Sequence, residues 1–280
     1  MTVYSNSRLN KFQECPRAYK FKYVEKIKVE KRQNIYGFLG IIVHKTLEQF
    51  HEDMKMNEKR SLKGLVNLFS ELWSENWTKN IEISHPDYSP EHFKKTGEKC
   101  IENYYEKHSP FNKEKTLGTE IRVHPVIKAD GKEYKFQGFI DRLSKNKNNH
   151  YIIHDYKTGK RLPTEKDLAN DRQLSLYQIG VQQKYSRSKK IELVWHYLRH
   201  RKNFKIELSQ KNLDRIRNDT ISLIQKIEKA KEKDHFPAMR NNGANCDWCD
   251  YQELCPEWGY SQENKKSKSK PIQNSLEQYF

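Results

Sequence analysis

Asp141, Asp155 and Lys157 are the residues of this chain whose types and spacing best fit a chemical task. Asp141 lies in the run E-Y-K-F-Q-G-F-I-D-R-L-S (133–144). Asp155 and Lys157 lie in H-Y-I-I-H-D-Y-K-T (150–158), and the polar break K-N-K-N-N separates the two runs. Both runs read as strands. In a strand, residues i and i+2 share a face, so Asp155 and Lys157 point into one pocket. If the runs pair, Asp141 stands beside Asp155. Two carboxylates at short range repel unless a cation sits between them, and oxygen ligands suit Mg²⁺ or Mn²⁺. A lysine beside such an ion can orient a water or steady the charge developing on a phosphate. Taken alone, one D-x-K is far more often an ordinary charged hairpin, so the surrounding elements decide.

Periodicity and punctuation supply those elements. Ser5 or Ser7 can cap a helix that carries Leu9 and Phe12 and ends or kinks at Cys15-Pro16. The basic and aromatic stretch Arg17 to Tyr23 suits contact with a nucleic-acid strand, and is also how a half-buried segment looks. Residues 38–54 read as a helix with Leu39, Ile42, Val43, Leu47, Phe50 and Met54 inward and His44 and Glu48 on its flank. Two more helices are expected over 62–80 and 90–107, the second holding Cys100 as a buried thiol. Residues 119–128 are expected to begin the sheet, with a hairpin turn at Ala129-Asp130-Gly131-Lys132. A helix over 171–185 places Gln173 and Tyr177 on one side. Strands at 191–198 and 203–208 flank the basic turn Arg199 to Lys202. Ser209 caps a long helix to about Asp234.

The 280 residues fit one large domain or one domain with a small appendage. A net charge of +16 favours a polyanionic partner, nucleic acid being the commonest. No apolar run is long enough to span a membrane, and Met1 to Ser5 show no signal core, so the expected compartment is the reducing cytoplasm. There, five cysteines point to metal ligands or buried thiols rather than disulfides. Cys246, Cys249 and Cys255 form a compact C-x2-C-x5-C group, one ligand short of four. Cys15, also followed by proline, is the natural fourth. Residues 261–271 read as a flexible basic linker, and the tip Gln273 to Phe280 gathers Leu276, Tyr279 and Phe280 into a plug for a partner's pocket.

Together these pieces resemble the RecB-like, iron–sulfur branch of the PD-(D/E)xK nuclease superfamily, which includes the AddB-type nuclease domain and the exonucleases of CRISPR adaptation. The resemblance rests on Ser5-x-Ser7-Arg8-Leu9 with Cys15-Pro16, Gly40 to His44 with Glu48, Gly138 to Arg142, Ile153 to Gly159, Gln173 to Tyr177, and the cysteine group, in that order. It implies that His44, Asp141 and Asp155 bind the catalytic divalent ion, with the Tyr156 carbonyl as a further ligand. Lys157 would position the attacking water, and Gln173 and Tyr177 would hold the DNA backbone near the scissile phosphate. Cys15, Cys246, Cys249 and Cys255 would hold a [4Fe–4S] cluster, with structural Zn²⁺ as the alternative. Glu120 is placed where a carboxylate could assist. The tail resembles the box that docks on PCNA sliding clamps, through Gln273, Leu276, Tyr279 and Phe280. In a chain with this nuclease type, that box points to an archaeal source.

The expected fold is therefore α/β, a restriction-endonuclease-like core with a mixed central sheet flanked by helices. Its expected parts are an N-terminal segment (1–36), a nuclease core (37–234) with a helical insert (55–115), a cluster lobe (235–260) and a clamp-binding tail (261–280). The expected activity is a metal-dependent DNA exonuclease acting on single-stranded ends or flaps and recruited to the sliding clamp for DNA repair, replication or recombination. The alternative is a non-catalytic DNA-binding scaffold of the same fold.

Overall fold

The structure, a computed structural model, describes residues 2–30, 33–83, 87–185, 190–239 and 246–258. The clamp-box residues Gln273, Leu276, Tyr279 and Phe280 lie outside them. Among the described residues, no helix is long and apolar enough to cross a membrane.

The chain begins with a short strand β1 (Val3–Tyr4) and helices α1 (Asn6–Glu14) and α2 (Pro16–Tyr19). Ser5 caps α1 by accepting a hydrogen bond from the Arg8 amide. Cys15 is the extended joint between the helices, and Pro16 opens the second, where a missing N–H costs nothing. The basic and aromatic stretch continues as a five-residue π-helical turn (Lys20–Val24). Its Tyr19 and Phe21 are buried, so much of that segment packs inward.

Strand β2 (Gln33–Asn34) leads into α3 (Ile35–Lys55), which Asn34 caps. Then come α4 (Leu62–Asn76), β3 (Ile81–Glu82) and α5 (Pro90–His108). The apolar stripe of α3 packs with Leu65 and Phe69 of α4 and Cys100, Ile101 and Tyr104 of α5 into one core. Met54, expected inside, is only partly buried.

The central sheet has five strands in the order β10-β9-β8-β7-β4: β4 (Glu114–Val123), β7 (Gly138–Asn146), β8 (Tyr151–Lys157), β9 (Ile191–Tyr197) and β10 (Lys202–Ile206). It is mixed, because β8 and β9 run parallel while the other neighbours are antiparallel. Strands β5 (Val126–Ala129) and β6 (Lys132–Phe136) leave it and join β1 in a small second sheet. Two expectations are corrected here. The run 119–128 is broken at Pro125, which has no N–H for a ladder. The run 133–144 is broken at Gln137, whose amide donates to the Tyr4 carbonyl. Asp141 therefore lies inside β7 rather than at a strand end. The hairpin turn has Asp130 at φ 50° and Gly131 at φ 71°, the left-handed pair that a two-residue turn requires.

After β8 come α6 (Glu165–Ala169) and α7 (Arg172–Lys184), and after β10 the long helix α8 (Gln210–Glu232), capped by Ser209. Leu174, Leu176 and Ile179 of α7 and Leu213, Ile224 and Ile227 of α8 share a core with Leu143, Ile153 and Trp195 of the sheet. Tyr156 belongs instead to the α3–α5 core, so β8 is sandwiched between two apolar layers.

Candidate metal-dependent active site

The ladder between β7 and β8 ends at Arg142↔His154. The next residues in register are Asp141 and Asp155, so the carboxylates stand where the two central strands stop pairing. Tyr156 organises this opening. Its amide donates a 2.7 Å hydrogen bond to Asp141 Oδ2, and its carbonyl accepts one of 2.9 Å from His44 Nε2 of α3. A carbonyl can only accept, so this contact places a proton on Nε2. In the neutral imidazole the lone pair then sits on Nδ1, 3.5 Å from Asp141 Oδ2. The carbonyl expected as a ligand thus instead orients a ligand-ready histidine.

Glu120 of β4 completes a group that sequence reasoning carried only weakly. One ligand atom each from His44, Glu120 and Asp141 lies within 4.8 Å of the others, the one such group among the described residues. Glu120 lies across from Asp141, between the registered pairs Thr119↔Arg142 and Ile121↔Ile140, and its φ is 45°. Burial and the nearby Glu48 carboxylate raise its pKa, against the opposing pull of His44. Asp141 is raised as well, by burial first and by Asp155. Mutually repelling, desolvated carboxylates beside an imidazole nitrogen are a donor set that fits Mg²⁺ or Mn²⁺.

Asp155 lies just outside this trio. It is 2% exposed, and its Oδ2 is 2.7 Å from Lys157 Nζ, as the shared strand face requires. The contact is a short ion pair between a buried carboxylate and an ammonium. Burial disfavours the Lys157 charge, but Asp155, Asp171 and Asp141 outweigh it and hold the ammonium above its ordinary pKa. From α7, Gln173 Nε2 lies 3.4 Å from Asp155 Oδ1 and 3.2 Å from the Tyr177 hydroxyl, donating to both. Asp171 fixes the start of that helix by accepting from the Leu174 amide and from Trp195 Nε1.

The four cysteines of the proposed group share one cavity. Cys15, Cys246, Cys249 and Cys255 line one cavity of about 280 Å³, floored by Phe21 and Tyr251. Among the described residues, no three of their sulfurs lie within 4.8 Å of one another. Burial and the neighbouring thiols raise the pKa of Cys246, and burial raises that of Cys249. Cys100 is buried in α5, away from this cavity.

The sequence profile of the PD-(D/E)XK nuclease superfamily matches residues 3–256, and the chain belongs to that superfamily. Among solved structures, a candidate exonuclease from Eubacterium rectale aligns with 96% of this chain and 90% of its own, at 14% identity and a TM-score of 0.48. The protein SSO0001 aligns with 90% of this chain and 95% of its own, at 16% identity and a TM-score of 0.30. No curated protein matches the chain.

Proposed function

We propose that this protein is a divalent-metal-dependent deoxyribonuclease that trims single-stranded ends or flaps. The observation that carries the proposal is the convergence of His44, Glu120 and Asp141 beside the Asp155–Lys157 pair. His44, Asp141 and Asp155 hold the ion, and Glu120 joins them as a third carboxylate. When bound, the ion supplies Lewis-acid activation of water and neutralises charge on the phosphate. The chain's own groups do the rest. The Tyr156 backbone fixes two ligands, Asp141 through its N–H and His44 through its carbonyl. Lys157 stands against Asp155 as an ammonium donor. It donates, orienting the attacking water and stabilising the phosphate oxygens as charge builds. Gln173 and Tyr177 present an amide and a hydroxyl to the adjoining strand backbone.

The direct test is cleavage of end-labelled single-stranded and flapped DNA with Mg²⁺ or Mn²⁺. Asp155→Ala and Lys157→Ala should lose cleavage by at least about a hundredfold while keeping the wild-type circular dichroism spectrum. Full activity in either would defeat the mechanism. No cutting under any metal would favour the DNA-binding scaffold.

Cys15, Cys246, Cys249 and Cys255 are proposed to hold a [4Fe–4S] cluster. Four-coordinate zinc would draw all sulfurs to about 3.8 Å from one another, given Zn–S bonds of about 2.3 Å. Their shared cavity supports a common metal group, and the metal found in anaerobically purified protein decides between cluster and zinc. The tail residues Gln273, Leu276, Tyr279 and Phe280 are proposed to dock on a PCNA-type clamp, on the support of their sequence pattern. Deleting 273–280 should abolish clamp binding and spare cleavage of free DNA; unchanged clamp affinity would remove the tether.

A further inference from the structure

Strands β8 and β9 run parallel, and their last registered pair is Lys157↔Tyr197. Ligand sites in sheets of this kind favour the carboxyl ends of parallel strands. At that end lies a cavity of about 440 Å³ whose lining includes Tyr36, Lys157, Arg161, Tyr197 and Arg199, with Asp167 as its carboxylate. Lys157 thus faces both the carboxylates and this cavity.

Arg199 is the unusual member. It sits in the tight turn Leu198–His200 directly after β9. Buried Asn103 of α5 pins that turn, donating from one amide nitrogen to the carbonyls of Leu198 (2.9 Å) and Arg199 (3.3 Å). The Arg199 backbone is therefore held from behind. Its Nε is buried and donates to nothing. Among the described residues no carboxylate pairs with its guanidinium, whereas the buried Arg142 is bridged to Glu114. Arg161 across the cavity is half-exposed and only loosely paired with Asp167, at 3.7 Å. A partly desolvated guanidinium without a counter-charge is unfavourable unless an anion completes it, and its planar fork matches two phosphate oxygens.

We propose that this cavity is a phosphate subsite for the DNA strand, in which Arg199 clamps a phosphate adjoining the scissile one and Arg161 closes over it. Tyr36 and Tyr197 form aromatic walls of the size a single nucleotide needs. The assignment rests on the nuclease reading of the neighbouring site, since that reading identifies the anion as nucleic acid. It makes Arg199 a strand-positioning residue.

The test measures binding of a fluorescently labelled single-stranded oligodeoxynucleotide by anisotropy, in chelator so that nothing is cut, over a series of salt concentrations. Arg199→Ala should weaken binding about tenfold or more. It should also shrink the slope of log affinity against log salt by about 0.7, the share of one phosphate of a single strand. Arg199→Lys should keep the slope and recover part of the affinity, because it keeps the charge but loses the fork. Thermal melting of Arg199→Ala should not drop, because no ion pair is broken. Unchanged affinity and slope would overturn the subsite, as would a wild-type protein that fails to bind the strand. A lower melting temperature with an unchanged slope would make Arg199 structural. If Arg199-dependent binding appears but the wild type cuts nothing with any metal, the nuclease reading falls and the phosphate subsite stands.

Discussion

Glu120 is held at φ 45°, where a residue with a Cβ is disfavoured by about 1–2 kcal/mol. Such a backbone persists where surrounding structure over-determines it, and here it accompanies a carboxylate that converges on His44 and Asp141. Glu120→Gly separates the two effects. Removing the Cβ relieves the strain, so the metal-free protein should melt no lower than wild type. Removing the carboxylate should weaken Mn²⁺-dependent cleavage by at least about tenfold. A lower melting temperature with full cleavage would mean that Glu120 serves the fold alone. Asp141 gives a companion case. Its raised pKa means that its charge is unfavourable in the metal-free fold. Asp141→Asn keeps the oxygen that accepts from the Tyr156 amide and drops the charge. It should raise the metal-free melting temperature and remove the stabilisation that Mn²⁺ gives the wild type, both read by calorimetry. A destabilised Asp141→Asn would contradict the repulsion. The facing of Asp155 and Lys157 was legible from strand alternation alone. Glu120 was legible only as an assisting carboxylate; its convergence with His44 and Asp141 depends on cross-strand register and a left-handed backbone that no local pattern encodes.

Behind the carboxylates, the same strands carry a buried polar layer. Arg142 of β7 reaches Glu114 and His154, Ser144 reaches His154, and His154 meets His196 of β9 at 2.8 Å. Burial first, then the charge of Arg142, lowers the pKa of His108 to about 4 and of His154 to about 3, from the ordinary 6.5. The sign follows directly. Below pH 6.5 the unfolded chain binds protons that the folded state refuses, so stability falls as pH drops from 6.5 towards 4. Glu114, held below the usual carboxylate range by His154 and Arg142 despite its burial, acts in the same direction, since its ion pair is lost on acidification. Urea unfolding should therefore show at least about 2 kcal/mol less stability at pH 4 than at pH 7. A flat profile would mean that these imidazoles are charged in the fold. Helices α3, α5 and α8 could be read in advance from apolar spacing and caps. The splits at Pro125 and Gln137 could not, because they record which sheet a segment joins. That choice is fixed by a distant partner, Val3–Tyr4 pairing with Lys135–Phe136.

At the scale of the molecule, the two ends of the described chain meet. Lys20 pairs with Asp234 at 2.8 Å, Arg17 donates to the Phe236 carbonyl, and Cys15 shares a cavity with the three late cysteines. The spacing C-x2-C-x5-C and the matching Cys15-Pro16 pair made these four cysteines a group in the sequence, and the fold sets all four around one cavity. A bound cluster would cross-link residues more than 200 positions apart. By analogy with a cross-link that closes so long a loop, it restricts the unfolded ensemble by about 5 kcal/mol. The proposed cluster would thus act as a long-range cross-link, and the prediction separates its ligands from the fifth thiol. Cys15→Ser should lose iron and acid-labile sulfide, bleach the broad visible absorbance and lower the melting temperature markedly. Cys100→Ser, which buries a hydroxyl in the α5 core, should also melt lower yet keep its full iron content. Iron retained in Cys15→Ser would exclude Cys15 as the fourth ligand. Zinc in place of iron in anaerobically purified wild type would replace the cluster with a mononuclear site, and the four sulfurs would then have to close to about 3.8 Å on metal binding.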